Sequence, residues 1–237
     1  MPPRGRGPHV FVADLERPEL DDDDHHHLAR SLRLRPGDPL TLSDGAGRWR
    51  PARFGDRPEP DGAIEEEGAP GPPVVVALAP VKGQRPEWAV QKLTELGVDE
   101  IWLLVADRSV VRWEGERAER HRERLARVAR EAAMQSRRCT LPVLRTGVGV
   151  DAARAHPAGV ALAHPGGDPP RLGPALLVGP EGGWSDDELS SAPAVVALGP
   201  TVLRAETAAV AAGALLTALR AGVVAPGRSV APPEDQH

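Results

Sequence analysis

The 237-residue sequence predicts an α/β protein, a parallel-sheet domain preceded by a small β-rich one. Three observations carry this reading. From Val74 onward, short β-branched apolar runs alternate with stretches of helical periodicity, the pattern of βαβ units. Before Gly68 the chain instead shows short strand-like runs, two of them joined by the turn Asp44-Gly45-Ala46-Gly47. Finally, two Gly- and Pro-containing segments, Val178 to Trp184 and Leu198 to Ala208, each begin where a short apolar run ends. Each is therefore a loop at the carboxyl end of a strand, the edge where open α/β sheets bind ligands.

In the first domain, Val10 to Ala13, Pro39 to Ser43 and Arg48 to Phe54 are expected as strands. His25 to Leu34 is expected as a short helix, with the acidic run Asp21 to Asp24 suited to its positive end. The run Gly68-Ala69-Pro70-Gly71-Pro72-Pro73 sets the boundary, giving domains of residues 1–72 and 73–225, with 226–237 expected as a disordered tail. Val74 to Ala79 has the composition of a buried parallel strand. A helix follows from Pro86, good in a first turn, to Leu96, with Gly97 as its stop. Ile101 to Val105 completes a βαβ unit.

Arg117 to Gln135 is a long helix, with Leu125, Val128, Ala129, Ala132 and Ala133 at helical spacing. Val160 to Ala163, Ala175 to Val178 and Ala194 to Leu198 are the remaining strands, with a short helix over Asp186 to Ser191. An Ala-rich helix, Thr207 to Ala221, closes the domain. The stretch Ala205 to Leu219 is small-sided and apolar around much of its circumference, so it needs cover on more than one side, from a second copy or from the core.

Composition narrows the class. Hydrophobic residues make up 41% of the chain, enough for a globular body despite 25 Gly and 26 Pro. The single Cys139 excludes an internal disulfide and fits a reducing compartment. Met1-Pro2-Pro3-Arg4 offers no apolar signal segment, and no stretch is long and apolar enough to span a membrane, so a cytoplasmic location is expected. The net charge of −5 argues against nucleic acid until its distribution is considered. Between Arg108 and Arg138 ten Arg face five acids, so that segment is +5 and the remainder −10. A localised basic face of this kind suits phosphate binding, or else forms a solvated helix with pairs such as Glu116–Arg120. The chain has 27 Arg and two Lys, Lys82 and Lys92, both near the first strand-helix unit of the second domain.

Five segments in chain order carry a family resemblance: His26-His27-Leu28-Ala29-Arg30-Ser31-Leu32-Arg33 with Pro36-Gly37-Asp38, Gln91 to Val98, Glu131 to Arg138, Gly179-Pro180-Glu181-Gly182-Gly183-Trp184, and Leu198 to Ala208. Together they span about residues 9–221, and the chain resembles the SPOUT-class methyltransferases that modify uridine N3 in small-subunit ribosomal RNA, the RsmE family. The resemblance implies a SPOUT-type trefoil-knotted parallel-sheet domain behind a small PUA-like β-barrel domain. It also implies a homodimer, S-adenosylmethionine as cofactor, and ribosomal RNA or the assembled small subunit as partner, with no membrane and no metal. Three details depart from the family pattern. Ser31 stands where a β-branched apolar residue is usual, the strand ending Ala161-Leu162-Ala163-His164-Pro165 lacks the acidic residue often found just after it, and with no Tyr and only two Phe base stacking falls to Trp, His or Arg.

Carried over residue by residue, the resemblance implies cofactor contacts at Ala163, His164, Gly179, Glu181, Gly182, Gly183, Leu198, Gly199 and Leu203. Arg204 is a candidate catalytic group, its guanidinium stabilising a uridinate or else holding a phosphate. Glu206 and Glu181 are candidate bases for the N3 proton, with a helix cap and a brace for the glycine turn as their structural alternatives. RNA contacts are expected at His27, Arg30, Arg33, Lys82, Arg124, Arg127 and Arg137. Consecutive His25, His26 and His27 point in different directions on a helix and do not make a metal site. Two other functions share these features, a SPOUT ribose 2′-O methyltransferase and a non-catalytic RNA-binding protein of the same fold. The LRAETA loop disfavours the first, and the intact glycines at 179, 182 and 183 argue against the second.

Overall fold

The computed structural model describes residues 7–68, 70–113 and 115–225. The expected tail 226–237 lies outside the described residues, as do Ala69 in the boundary run and Glu114 in the basic segment. The described residues form two compact units, one within 1–69 and 126–142, the other within 70–125 and 143–237.

In the first unit, β1 (His9–Phe11) pairs parallel with β2 (Pro39–Ser43), which pairs antiparallel with β3 (Arg48–Arg53) across the expected Asp44 to Gly47 turn. The two-residue strands β4 (Glu59–Pro60) and β5 (Glu65–Glu66) also pair with β3. The expected helix begins earlier than the sequence suggested. α1 covers Asp22–His26 and runs into a wide π-type turn over His27–Ser31. Its acids form the first turn instead of preceding it, because the Asp21 carboxylate caps the helix by accepting from Asp24 N at 2.7 Å. Val10, Leu28, Leu40, Leu42 and Phe54 build this unit's core, with Met134 packed against it.

In the second unit the strands are β6 (Val75–Leu78), β7 (Glu100–Val105), β8 (Val143–Gly149), β9 (Val160–Asp168), β10 (Ala175–Val178) and β11 (Val195–Val196). They form one parallel sheet in the order β11-β9-β10-β6-β7-β8. β6 and β10 are buried along their whole length, as the apolar runs required. β8 was not anticipated, β9 is longer than expected, and β11 is shorter. Helix α2 (Arg85–Leu96) ends as expected at Gly97, which adopts φ 91°. The long helix α3 (Gly115–Ser136) contributes its first half to this unit and its second half to the other. The short helices α4 (Val150–Arg154) and α5 (Asp186–Ser190) follow, and Ser185 and Glu188 close a capping box on α5.

The closing helix, α6 (Ala205–Arg220), packs on α2, β6 and β10. Arg220 fixes its end, pairing with Asp99 and donating to Gly97 O at 2.7 Å. Strand order decides where a ligand can sit. From β6 the chain proceeds outward to β7 and β8, whereas β10 leads toward β11 on the other side. The neighbours β6 and β10 therefore mark the switch point of the sheet, where the loops leaving two adjacent strands diverge and open a crevice.

Candidate active site

A cleft of about 800 Å³ lies at that edge. Its walls come from the far part of β9, the loop after β10 and the loop after β11, with Arg85 and Arg108 contributed from the other half of the sheet. The β10 loop is held by its tryptophan. Trp184 is almost fully buried, and its indole Nε1 donates to Ala163 O in β9 at 2.9 Å. A Cβ on Gly179 would come within 2.9 Å of that ring, so the glycine is there to admit Trp184 as much as to approach a ligand. Gly183 adopts φ 72° and donates to Pro180 O at 2.8 Å, which turns the loop back toward α5.

The charges along the cleft are unevenly matched. Arg85 donates from Nη1 to Glu181 Oε1 at 2.8 Å and stands 3.6 Å from Glu206 Oε1. Arg108 leans on the same loop, donating to Gly182 O at 3.4 Å, with Asp186 at 3.8 Å. Below them, Ser185 Oγ donates to Asp107 Oδ2 at 2.6 Å while Asp107 N donates to the buried Glu188. This ties the β7 and β10 loops together. Arg204, at the N-cap of α6, lines the cleft and is exposed; its carbonyl accepts from Ala208 N at 2.8 Å, while its guanidinium has no hydrogen-bond or ionic partner among the described residues.

Comparison with known proteins agrees with this geometry. A family model described as an RNA methyltransferase domain matches residues 69–217, and one described as an RNA methyltransferase PUA domain matches residues 20–58. Proteins named ribosomal RNA small subunit methyltransferase E from Mycobacterium tuberculosis and Synechocystis are 38% and 34% identical to the chain, over 83% and 82% of it and 84% and 70% of their own lengths. The chain belongs to the ribosomal RNA small subunit methyltransferase E family. Among solved structures, a probable rRNA-methyltransferase from Porphyromonas gingivalis is 31% identical, with a TM-score of 0.78 over 92% of this chain and 100% of that one. The family member from Neisseria gonorrhoeae, solved bound to S-adenosyl methionine, is 28% identical, with a TM-score of 0.75 over 90% and 98%.

Of the cofactor contacts expected from sequence, Ala163, His164, Gly179, Glu181, Gly183, Leu198, Gly199 and Leu203 line the one cleft. Gly182 stands outside the lining, turned toward Arg108. Of the two expected catalytic residues Arg204 lines the cleft, while Glu206 is buried in the first turn of α6. Glu206 is not a cap, because α6 begins at Ala205 and the N-cap is Arg204.

The expected RNA contacts are divided between the two units. In the first unit His27, Arg127 and Arg137 line a cleft, where Arg137 donates to Gly7 O at 2.7 Å and to Thr41 Oγ1 at 3.2 Å. Arg30, Arg33 and Lys82 are exposed, and Arg124 pairs with Glu87 at 3.1 Å. Sequence reasoning missed Arg85 and Arg108, since no local spacing links residue 85 to 181 or residue 108 to 182. Nor does the motif around Trp184 show locally that its indole holds the loop to β9.

Proposed function

We propose that this chain transfers a methyl group from S-adenosylmethionine to N3 of a uridine in small-subunit ribosomal RNA. The observation that supports this best is the cleft, where eight of the nine residues singled out for the cofactor line one cavity at the switch point of a parallel sheet. Its residues fit the group: an apolar floor at Leu198 and Leu203, a loop turned by Gly183, and opposite charges at Arg85 and Glu181. The cofactor supplies a methyl group made electrophilic by its sulfonium. The chain's part is alignment and exclusion of water. Arg204, whose guanidinium is uncommitted to any other group, stabilises the negative charge on the uracil oxygens of the uridinate formed when N3 loses its proton to solvent, and N3 then takes the methyl group.

The same reading makes residues 1–72 the RNA-holding domain and 73–225 the transferase, knotted through the loops that form the cleft. It includes a cytoplasmic homodimer in which copies meet on the side of α6 away from its sheet. Val210, Ala214 and Leu215 on this helix are only partly covered. No described helix is long and apolar enough to cross a membrane. The test is methyl transfer to small subunits and to naked ribosomal RNA, with nucleoside mass spectrometry to locate the label. Label on N3 of uridine is expected; label on a ribose oxygen, or none on either substrate, overturns the reading.

A further inference from the structure

The ion pair at the cleft is incomplete in a way that a purely structural pair is not. Arg85 uses one nitrogen on Glu181, and its Nη2 and Nε have no partner among the described residues. A guanidinium is a planar fork of five N–H donors that matches a carboxylate through two parallel bonds. Glu206 is buried, its Oε1 faces Arg85, and its Oε2 has no hydrogen bond. Glu181, by contrast, has 61% of its side chain exposed. A buried carboxylate cannot give up its only cation cheaply, whereas an exposed ion pair is separated at little cost. Arg85 is thus held from behind by Glu206 and loosely covered in front by Glu181.

We propose that Arg85 and Glu181 bind the zwitterionic amino-acid end of the methyl donor, Arg85 taking its carboxylate and Glu181 its ammonium. The inference rests on the cofactor assignment above. Charge balance selects this ligand over an RNA phosphate. At Arg85 two carboxylates already share one guanidinium, so a phosphate placed on it adds a third negative charge to a single cation, whereas Arg204 elsewhere in the cleft offers a phosphate an unshared one. A zwitterion brings its own cation to Glu181 and completes the fork of Arg85. Glu206 is a positioning residue that keeps Arg85 aimed when Glu181 turns to the ammonium.

The test uses two ligands that share adenosine and a thioether and differ only in the amino-acid end. S-adenosylhomocysteine has that end, and 5′-methylthioadenosine lacks it. Calorimetric titration of the full chain should give tighter binding of the first. Arg85→Gln should weaken S-adenosylhomocysteine by about ten- to a hundredfold, the range of a charge-assisted hydrogen-bonded contact, and shift methylthioadenosine by less than about threefold. Arg85→Lys should fall between, since an ammonium keeps the charge and loses the fork. Glu181→Gln, at an exposed position, should narrow the difference between the ligands in the same way without threatening the fold. Glu206→Gln should do so to a smaller extent.

Equal weakening of both ligands in Arg85→Gln and Arg85→Lys, or no weakening in either, together with an unchanged ratio in Glu181→Gln, overturns the inference while leaving the cofactor assignment intact. A wild-type chain that binds neither ligand overturns the cofactor assignment itself, and this inference with it.

Discussion

Arg130 in the first unit and Arg85 in the second each face two acids, but the chain treats them differently. Arg130 grips both oxygens of the buried Asp24, has Asp21 at 3.8 Å, donates to Phe11 O at 3.2 Å and to Met134 Sδ, and lies 5.9 Å from the Phe11 ring centre. The Asp24 hydrogen bond, followed by its charge, pushes the Arg130 pKa up from its ordinary value against the opposing effect of burial. Arg85 has one hydrogen bond and a buried carboxylate behind it that is half unsatisfied. The first arginine joins the end of α3 to α1 and β1, and its bonding capacity is used by the fold. The second retains capacity that the fold does not use, at the edge of a cleft. Arg204 completes the series, its guanidinium with no partner among the described residues. Unused bonding capacity thus rises from the structural arginine to the two that face the cleft, and each step has a measurable consequence.

The largest effect is expected at Arg130. Replacing it with Met keeps length and apolar contact but leaves Asp24 buried without its cation, which costs about 4 kcal/mol when one partner of a buried pair is removed. Urea denaturation of Arg130→Met, Asp24→Asn and the double variant measures this. If the pair is structural, the double variant should recover part of the loss. A single-variant loss under about 1 kcal/mol would place Arg130 with ordinary surface arginines and remove the contrast with Arg85.

The next effect is also in the first unit and depends on pH. His9 is buried in β1, its Nε2 is 2.9 Å from Arg138 O, and its Nδ1 has no partner. A carbonyl can only accept, so Nε2 carries the proton of the neutral ring, and a second proton on Nδ1 would have nothing to donate to. Burial lowers its pKa from 6.5 to about 4, with the nearby Arg137 adding to the effect and the Arg138 bond opposing it. The folded pKa is below the unfolded one, so the contribution is complete above pH 6.5 and is lost as pH falls toward 4. Over that window the unfolded chain takes up a proton that the native chain refuses, worth about 3 kcal/mol. The stability difference between pH 7 and pH 4 should be smaller by that amount in His9→Gln than in the wild type. An identical pH slope in the two proteins would show that His9 is not held neutral.

These two residues also show where sequence reading stopped. The apolar runs at Val75–Leu78 and Ala175–Val178, the stop at Gly97 and the periodicity of α3 were legible because each is a local pattern with one physical cause. β8 was not, because its pattern alternates between exposed and half-buried positions at the sheet edge and never shows an apolar run. β4 and β5 are held by pairing with β3 and not by their own composition. In the cleft, the loops identified themselves through Gly and Pro, but Arg85 reaches Glu181 across 96 positions of chain, and Asp24 meets Arg130 across 106. Contacts of that kind exist only once the topology does.

Arg204 gives the third effect, on rate and not on stability. If its uncommitted guanidinium meets charge that appears only once N3 has lost its proton, Arg204→Lys should lower single-turnover methylation on the order of a hundredfold, about 2.7 kcal/mol, with cofactor affinity nearly unchanged. Wild-type chemistry with weakened RNA binding would make Arg204 a phosphate anchor instead.

The smallest effects separate two adjacent glycines that the sequence motif treats alike. Gly183 sits at φ 72°, a conformation in which any L side chain is strained, and it closes the turn onto Pro180 O. Gly183→Ala should therefore lower stability by about 1 kcal/mol and, by reshaping a residue of the cleft lining, weaken S-adenosylmethionine as well. Gly182 has no positive φ, and a Cβ there would meet Arg108 Cβ at 3.4 Å, an ordinary contact outside the cleft. Gly182→Ala should stay within about 0.5 kcal/mol of the wild type and bind the cofactor as the wild type does. Thermal melts beside calorimetric titration of both variants decide it. A Gly182→Ala protein that melts normally yet no longer binds S-adenosylmethionine would put Gly182 back in the cofactor wall, and the β10 loop would then present both glycines to the ligand.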